Sequence, residues 1–140
     1  VSSVYFDTSA LVKILIEEPG SAAAVQAWQA ADSVACSRLA HVEARAALAM
    51  AKRQGRLSSL QGARARAALD DHWQDVVALE VTEPLVEQAG DLAEEDALRG
   101  YDAVHLASAL RAAVDVLITA DVEMIRAARR HGLEVIDARS

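Results

Sequence analysis

Four acids stand in otherwise apolar stretches of the chain: Asp7 in VYFDTSALV, Glu43 in LAHVEARAAL, Asp102 in GYDAVHLASAL and Asp121 in VLITADVEM. A carboxylate near a core costs free energy unless something compensates it. Two carboxylates about 4 Å apart repel by ~4 kcal/mol at an effective dielectric near 20. If the fold gathers all four, a divalent cation is the simplest compensation. Hard oxygen ligands with retained waters select Mg2+ or Mn2+. Other chemistries lack their signatures. There is no glycine-rich phosphate loop or dinucleotide fingerprint, and no nucleophile elbow. Asp7 is not followed two residues later by the second Asp of an aspartyl phosphatase, and no pair of adjacent acids closes the first strand, as a phosphoacceptor receiver would need.

Each acid taken singly has a plainer reading. Asp7 and Asp121 suit helix caps, and Asp102 suits the positive end of a helix dipole. Glu43 shares a stripe with Leu39, Ala46, Ala47 and Met50, the apolar face by spacing, or else lies at the edge of a wide small-residue face. The set therefore carries more weight than any member. Ser9 and Thr119, two residues from Asp7 and Asp121, could hold a carboxylate or a water behind the ligands. His105 lies one turn after Asp102 and reads as a hydrogen-bonded core residue. His41, His72 and His131 share no spacing and read as surface or helix-end residues. Trp28, Trp73 and Cys36 read as packing. Lys52, Arg53, Arg56, Arg64 and Arg66 gather around a helical hairpin, either as a solvated face or as a grip on phosphates or an acidic partner segment.

The elements that must position these residues alternate. Short apolar runs at 4–6, 33–37, 76–79, 116–118 and 134–136 predict strands. Helices are predicted over 10–16, 21–30, 39–53, 59–73, 83–98, 101–113 and 121–131, with Thr8 or Ser9 capping the first and Gly100 ending the fifth. Strands alternating with helices imply an α/β fold whose central, mainly parallel sheet of four to five strands is covered on both faces. In such sheets ligands bind beyond the carboxyl ends of the strands. Asp7 and Asp121 fall there, Glu43 is early on the helix after the second strand, and Asp102 is at the start of the helix before the fourth.

The chain of 140 residues fits a single domain, 1–140, with 53% hydrophobic content for a core and one cysteine, which excludes an internal disulfide. A net charge of −7 argues against a broadly basic nucleic-acid surface, yet clustered active-site acids would themselves add negative charge. No apolar run reaches the ~18 residues of a membrane span. No secretion signal is visible, so a cytoplasmic location is expected.

The segments DTSALVK at 7–13, EEPGS at 17–21, SRLAHVEARAAL at 37–48, LRGYDAVHLASAL at 98–110 and LITAD at 117–121 occur in order along nearly the whole chain. Together they resemble a PIN domain, and more closely the VapC-type toxins of bacterial toxin–antitoxin pairs. The resemblance implies a three-layer α/β/α fold and a metal-dependent endoribonuclease. Asp7, Glu43, Asp102 and Asp121 fall on the family's acidic positions, holding one or two Mg2+ or Mn2+ ions. Ser9 and Thr119 fall on its supporting polar positions. The resemblance further implies a homodimer and a VapB-type antitoxin that places a basic side chain in the acidic site. The residues alone also admit a non-catalytic acidic module that receives a basic peptide, or a metal-dependent phosphatase.

Overall fold

The computed structural model describes residues 2–140. The elements run β1 (Ser3–Phe6), α1 (Thr8–Leu15), α2 (Ser21–Ala30), β2 (Ser33–Ser37), α3 (Leu39–Arg53), α4 (Ser59–Trp73), β3 (Val76–Leu79), α5 (Glu83–Asp96), α6 (Gly100–Arg111), β4 (Val116–Thr119), α7 (Val122–Arg130) and β5 (Glu134–Asp137). The five strands form one sheet in the order β3-β2-β1-β4-β5, and every pairing is parallel. The chain moves outward from β1 through β2 to β3, then returns to the other side of β1 for β4 and β5. This reversal opens a crevice at the carboxyl ends of β1 and β4.

Side chains alternate across the sheet, and each face has its own core. Val4, Phe6, Val34, Cys36 and Ile118 pack against Ala10 and Leu11 of α1, Ala24 and Ala27 of α2, Ala40 and Ala44 of α3 and Leu69 of α4. Tyr5, Ala35 and Leu117 point the other way, onto Leu85, Ala89 and Leu92 of α5, Leu106 of α6 and Met124 of α7. The result is the expected three-layer α/β/α arrangement. Cys36 is fully buried packing. No helix among the described residues is long and apolar enough to cross a membrane.

Three local expectations are corrected. Helix α1 starts at Thr8, and its cap is Asp7 rather than Thr8 or Ser9. The buried face of α3 is Ala40, Ala44, Leu48 and Ala51. Met50 of the supposed apolar stripe is 46% exposed, so Glu43 sits at the edge of the packed face. Helix α5 stops at Asp96, before Leu98, because Ala97 turns left-handed at φ 55°; Gly100 opens α6 instead of closing α5. A left-handed alanine costs ~1–2 kcal/mol. Asp96 anchors this turn. Its buried carboxylate accepts from Arg130 Nη1 at 2.9 Å and His131 Nε2 at 2.6 Å, while its carbonyl accepts from Arg126 Nη2 at 2.7 Å. The end of α5 is thereby tied to α7. Asp96→Ala should lower the stability measured by urea unfolding by about 2 kcal/mol, since charge-assisted bonds contribute roughly 1.5–3 kcal/mol each and the freed Arg130 can hydrate. An unchanged midpoint would show that the tie carries no load.

Candidate active site

Asp7 is where β1 ends and α1 begins. Its backbone N–H still bonds to Ile118 O of β4 at 3.3 Å, so the residue sits at the switch between the two strands. The carboxylate is buried, 4% exposed. Oδ1 accepts from Ser9 Oγ at 2.7 Å and from Ala10 N at 3.1 Å. Oδ2 accepts from Thr119 Oγ1 at 2.5 Å. Burial pushes the Asp7 carboxyl above its ordinary range, and His105 together with these donors opposes that rise. The two hydroxyls also take backbone donors from the turn after β4: Ala120 N gives to Ser9 Oγ at 2.9 Å, and Asp121 N to Thr119 Oγ1 at 3.1 Å. Ser9 and Thr119 thus fasten the start of α1 to the start of α7 and orient Asp7 between them.

Glu43 approaches from the other side. It lies on the second turn of α3, half-buried. Its Oε1 accepts from Thr8 Oγ1 at 2.6 Å and pairs with His105 Nε2 at 2.8 Å. Burial pushes the Glu43 carboxyl up, but the bonds from His105 and Thr8 outweigh burial and hold it below its ordinary range. His105 belongs to α6, in the opposite layer from α3, so this pair joins the two layers over the end of the sheet. The other ring nitrogen, Nδ1, meets Tyr5 Oη at 2.6 Å.

Asp102 is in the first turn of α6, and Asp121 caps α7 by accepting at Oδ1 from Glu123 N and Met124 N at 2.8 and 3.1 Å. Burial, then the charges of Asp121 and Asp7, push the Asp102 carboxyl above its ordinary range, against His105 and Arg99. Asp102 therefore feels the like charges of both Asp121 and Asp7. The Asp102 carboxylate takes no hydrogen bond and no ion pair from any described residue.

The model of the PIN domain matches residues 4–130. The chain belongs to the PIN domain family. Among curated relatives, Ribonuclease VapC45 of Mycobacterium tuberculosis is 48% identical over 107 residues, 76% of this chain and 74% of that protein. A structure of PAE2754 from Pyrobaculum aerophilum superposes with a TM-score of 0.73 at 24% identity, covering 95% of this chain and 83% of that one. A toxin–antitoxin complex from Klebsiella pneumoniae gives a TM-score of 0.66 at 23% identity over 96% of this chain and 97% of that one. At these identities the two structures speak for the fold.

Does this PIN domain have room for a cation? A carboxylate offers about four lone-pair sites. Asp7 uses three, Glu43 uses only those of Oε1, Asp121 uses only those of Oδ1, and Asp102 uses none. Each acid keeps free oxygen capacity, and Asp102 is repelled by both Asp121 and Asp7. This donor set fits a hard divalent ion. No three ligand atoms of the four acids lie within 4.8 Å of one another, so as the side chains stand at most two of these carboxylates touch one ion directly and the others reach it through water. The tighter group among the described residues is Glu95, Asp96 and His131. It is a structural tie, because Arg130 and His131 already occupy the Asp96 oxygens and a guanidinium repels a cation.

The basic residues divide between two sides of the α3–α4 hairpin. Lys52 and Arg66 line a cavity of about 320 Å³ with Arg45, whereas Arg56 and Arg64 line one of about 440 Å³ beside Leu15 and Ile16 at the end of α1. Arg66 pairs with Asp70, and Arg53 is exposed. The histidines read as surface or helix-end residues have partners: His41 stands edge-on to Trp73, His72, in the last turn of α4, to Trp28, and His131, at the end of α7, binds Asp96. Sequence reasoning missed Tyr5 and Thr8. Tyr5 had a usable signal, since it shares a strand face with Asp7 two residues on.

Proposed function

We propose that this chain is a metal-dependent endoribonuclease of the VapC toxin type, and that Asp7, Glu43, Asp102 and Asp121 hold its cation. One observation carries the reading. Asp102 is a half-buried carboxylate without a hydrogen-bond partner, pushed up by burial and by the charges of Asp121 and Asp7. A cation relieves all three costs at once. The kinship with Ribonuclease VapC45 supports RNA as the substrate.

Mg2+ is the proposed ion, with Mn2+ able to replace it, at one or two per site. Bound there, such an ion would supply charge to offset the phosphoryl oxygens and would acidify a water. The chain supplies the positioning. Ser9, Thr119 and the α1 amide at Ala10 fix the Asp7 carboxylate, and Thr8 with His105 fixes Glu43. The exposed Lys52, Arg53, Arg56 and Arg64 offer phosphate contacts outside the acidic crevice. A net charge of −7 keeps non-specific RNA binding weak, so the grip on substrate is local. The same acids suit a basic side chain of a VapB-type antitoxin, and the protein acts as a homodimer of single-domain subunits in the cytoplasm.

The test is cleavage of total cellular RNA by the purified, antitoxin-free protein. Discrete fragments with Mn2+ and none with EDTA are expected. Fragments that persist in EDTA would overturn metal dependence. An Mn2+-binding protein that cuts no RNA would instead be a non-catalytic acidic module, and turnover of small phosphate esters alone would make it a phosphatase.

A further inference from the structure

We propose that His105 is a positioning residue for Glu43, clamped by the Tyr5 hydroxyl so that its Nε2–H fixes the Glu43 carboxylate with one oxygen turned free for the cation. The inference rests on the reading of Glu43 as a metal ligand. It concerns how that ligand is held.

The chain of contacts starts in the sheet. Ser37 N, on buried β2, donates to Tyr5 Oη at 3.1 Å. Tyr5 Oη meets His105 Nδ1 at 2.6 Å. His105 Nε2 meets Glu43 Oε1 at 2.8 Å, and Thr8 Oγ1 donates to the same oxygen at 2.6 Å. A carboxylate only accepts, so Nε2 carries a hydrogen. A hydroxyl both donates and accepts, so Tyr5 holds Nδ1 in either protonation state of the ring.

The ring is held along its edges as well. Its side chain is 3% exposed, and Tyr5 stands edge-on to it with centroids 5.8 Å apart. A ring so placed cannot turn without breaking bonds at both nitrogens. Glu43 is in the opposite condition. It has three side-chain torsions, 25% exposure and a place at the edge of the α3 packed face. Packing within α3 leaves its carboxylate loose, so the orientation comes from outside the helix. The two donors converge on Oε1, and Oε2 takes no hydrogen bond from any described residue. His105 has no room to touch substrate: one nitrogen faces Tyr5, and the other faces Glu43 with Thr8 Oγ1 at 3.2 Å beside it. Its action is therefore through Glu43.

The experiment measures Mn2+ binding to the full chain without RNA, from the free-Mn2+ paramagnetic resonance signal. His105→Phe keeps the ring bulk and removes the donor. It should weaken Mn2+ binding ~10- to 100-fold, the usual cost of losing a partner behind a metal ligand. His105→Gln, which returns an N–H near the Nε2 position, should recover most of that loss. Tyr5→Phe should weaken binding by a smaller factor, because only the clamp is lost. The double variant His105→Phe/Glu43→Gln should bind no more weakly than Glu43→Gln alone, since non-additivity marks a shared route.

Loss in Glu43→Gln with none in His105→Phe would overturn the positioning role and leave the metal site standing. No loss in Glu43→Gln would overturn Glu43 as a ligand and the positioning role with it. Additive losses would show that His105 acts by another route. Should His105→Phe fail to fold, Tyr5→Phe decides: wild-type affinity there would overturn the proposal.

Discussion

Asp102→Asn should abolish RNA cleavage and raise the melting temperature of the metal-free protein. The two effects have one cause. Asp102 carries a negative charge beside Asp7 and Asp121 and has no donor to stabilise it. Removing that charge removes a proposed cation ligand, and with it an expected ~10³-fold or more of the rate, equivalent to about 4 kcal/mol at 1.36 kcal/mol per decade. It also removes like-charge repulsion. The group is half-exposed and screened by solvent, so the stabilisation is on the order of 1 kcal/mol at most. That amounts to a rise of roughly 3 °C for a chain of this size.

The pH dependence follows from the direction of the shifts. Folding raises the carboxyl pKa of Asp7 and Asp102, so the folded state holds those protons more tightly than the unfolded chain. Their contribution to stability is present at low pH and is lost as pH rises through the raised values. Glu43 is lowered and contributes in the opposite sense, present above its ordinary value and lost as pH falls through the lowered one. The stabilising effect of Asp102→Asn should therefore be larger at pH 7 than at pH 4. Saturating Mn2+ should raise the wild-type melting temperature at pH 7 and leave the variant nearly unmoved. A variant that cleaves at the wild-type rate would remove Asp102 from the mechanism. Asp7→Asn is the less clean test, because its carboxylate accepts three hydrogen bonds that an amide can only partly keep.

The architecture was legible because strands and helices alternate with strong contrast. Val4, Phe6, Val34 and Cys36 on one face, with Tyr5 and Ala35 on the other, follow directly from strand periodicity. Asp7 and Asp121 were legible because carboxyl ends of parallel strands are where a site forms. The face of α3 was not. Ala40 and Ala44 are buried while Ala46 is exposed, and identical residues give periodicity nothing to work with. The end of α5 was misplaced because alanine, not glycine, takes the left-handed turn, and the side chains that hold it come from the end of α7, some 35 residues away. The Tyr5–His105–Glu43 chain was hidden for the same reason. Its members are 100 and 62 residues apart, and only the packing of two layers over one strand end brings them together.

Gly20→Ala should cost about 4 kcal/mol and reduce cleavage even in the fraction that stays folded. Gly20 caps α2 at φ 91°, a left-handed position that costs an alanine ~1–2 kcal/mol. The larger penalty is steric. A Cβ at this position would stand 1.8 Å from the Ala138 carbonyl oxygen, a backbone atom that cannot swing aside as a side-chain end can. Overpacking of this kind costs ~1–3 kcal/mol as the backbone moves. The loop before the glycine cannot give way easily either. Lys13 Nζ holds Pro19 O at 2.6 Å, and Ser21 Oγ ties to Ile16 O at 3.0 Å. The displaced partner also reaches the site. Ala138 N donates to Thr119 O at 2.8 Å, and Thr119 Oγ1 holds Asp7. Strain entered at Gly20 thus passes through the segment after β5 into the residue that orients the central acid. Chemical denaturation would give the stability loss, and Mn2+ affinity of the folded variant would report the displacement of Asp7. Wild-type stability in Gly20→Ala would show that the segment after β5 yields freely and that the close approach of these two chain segments constrains nothing.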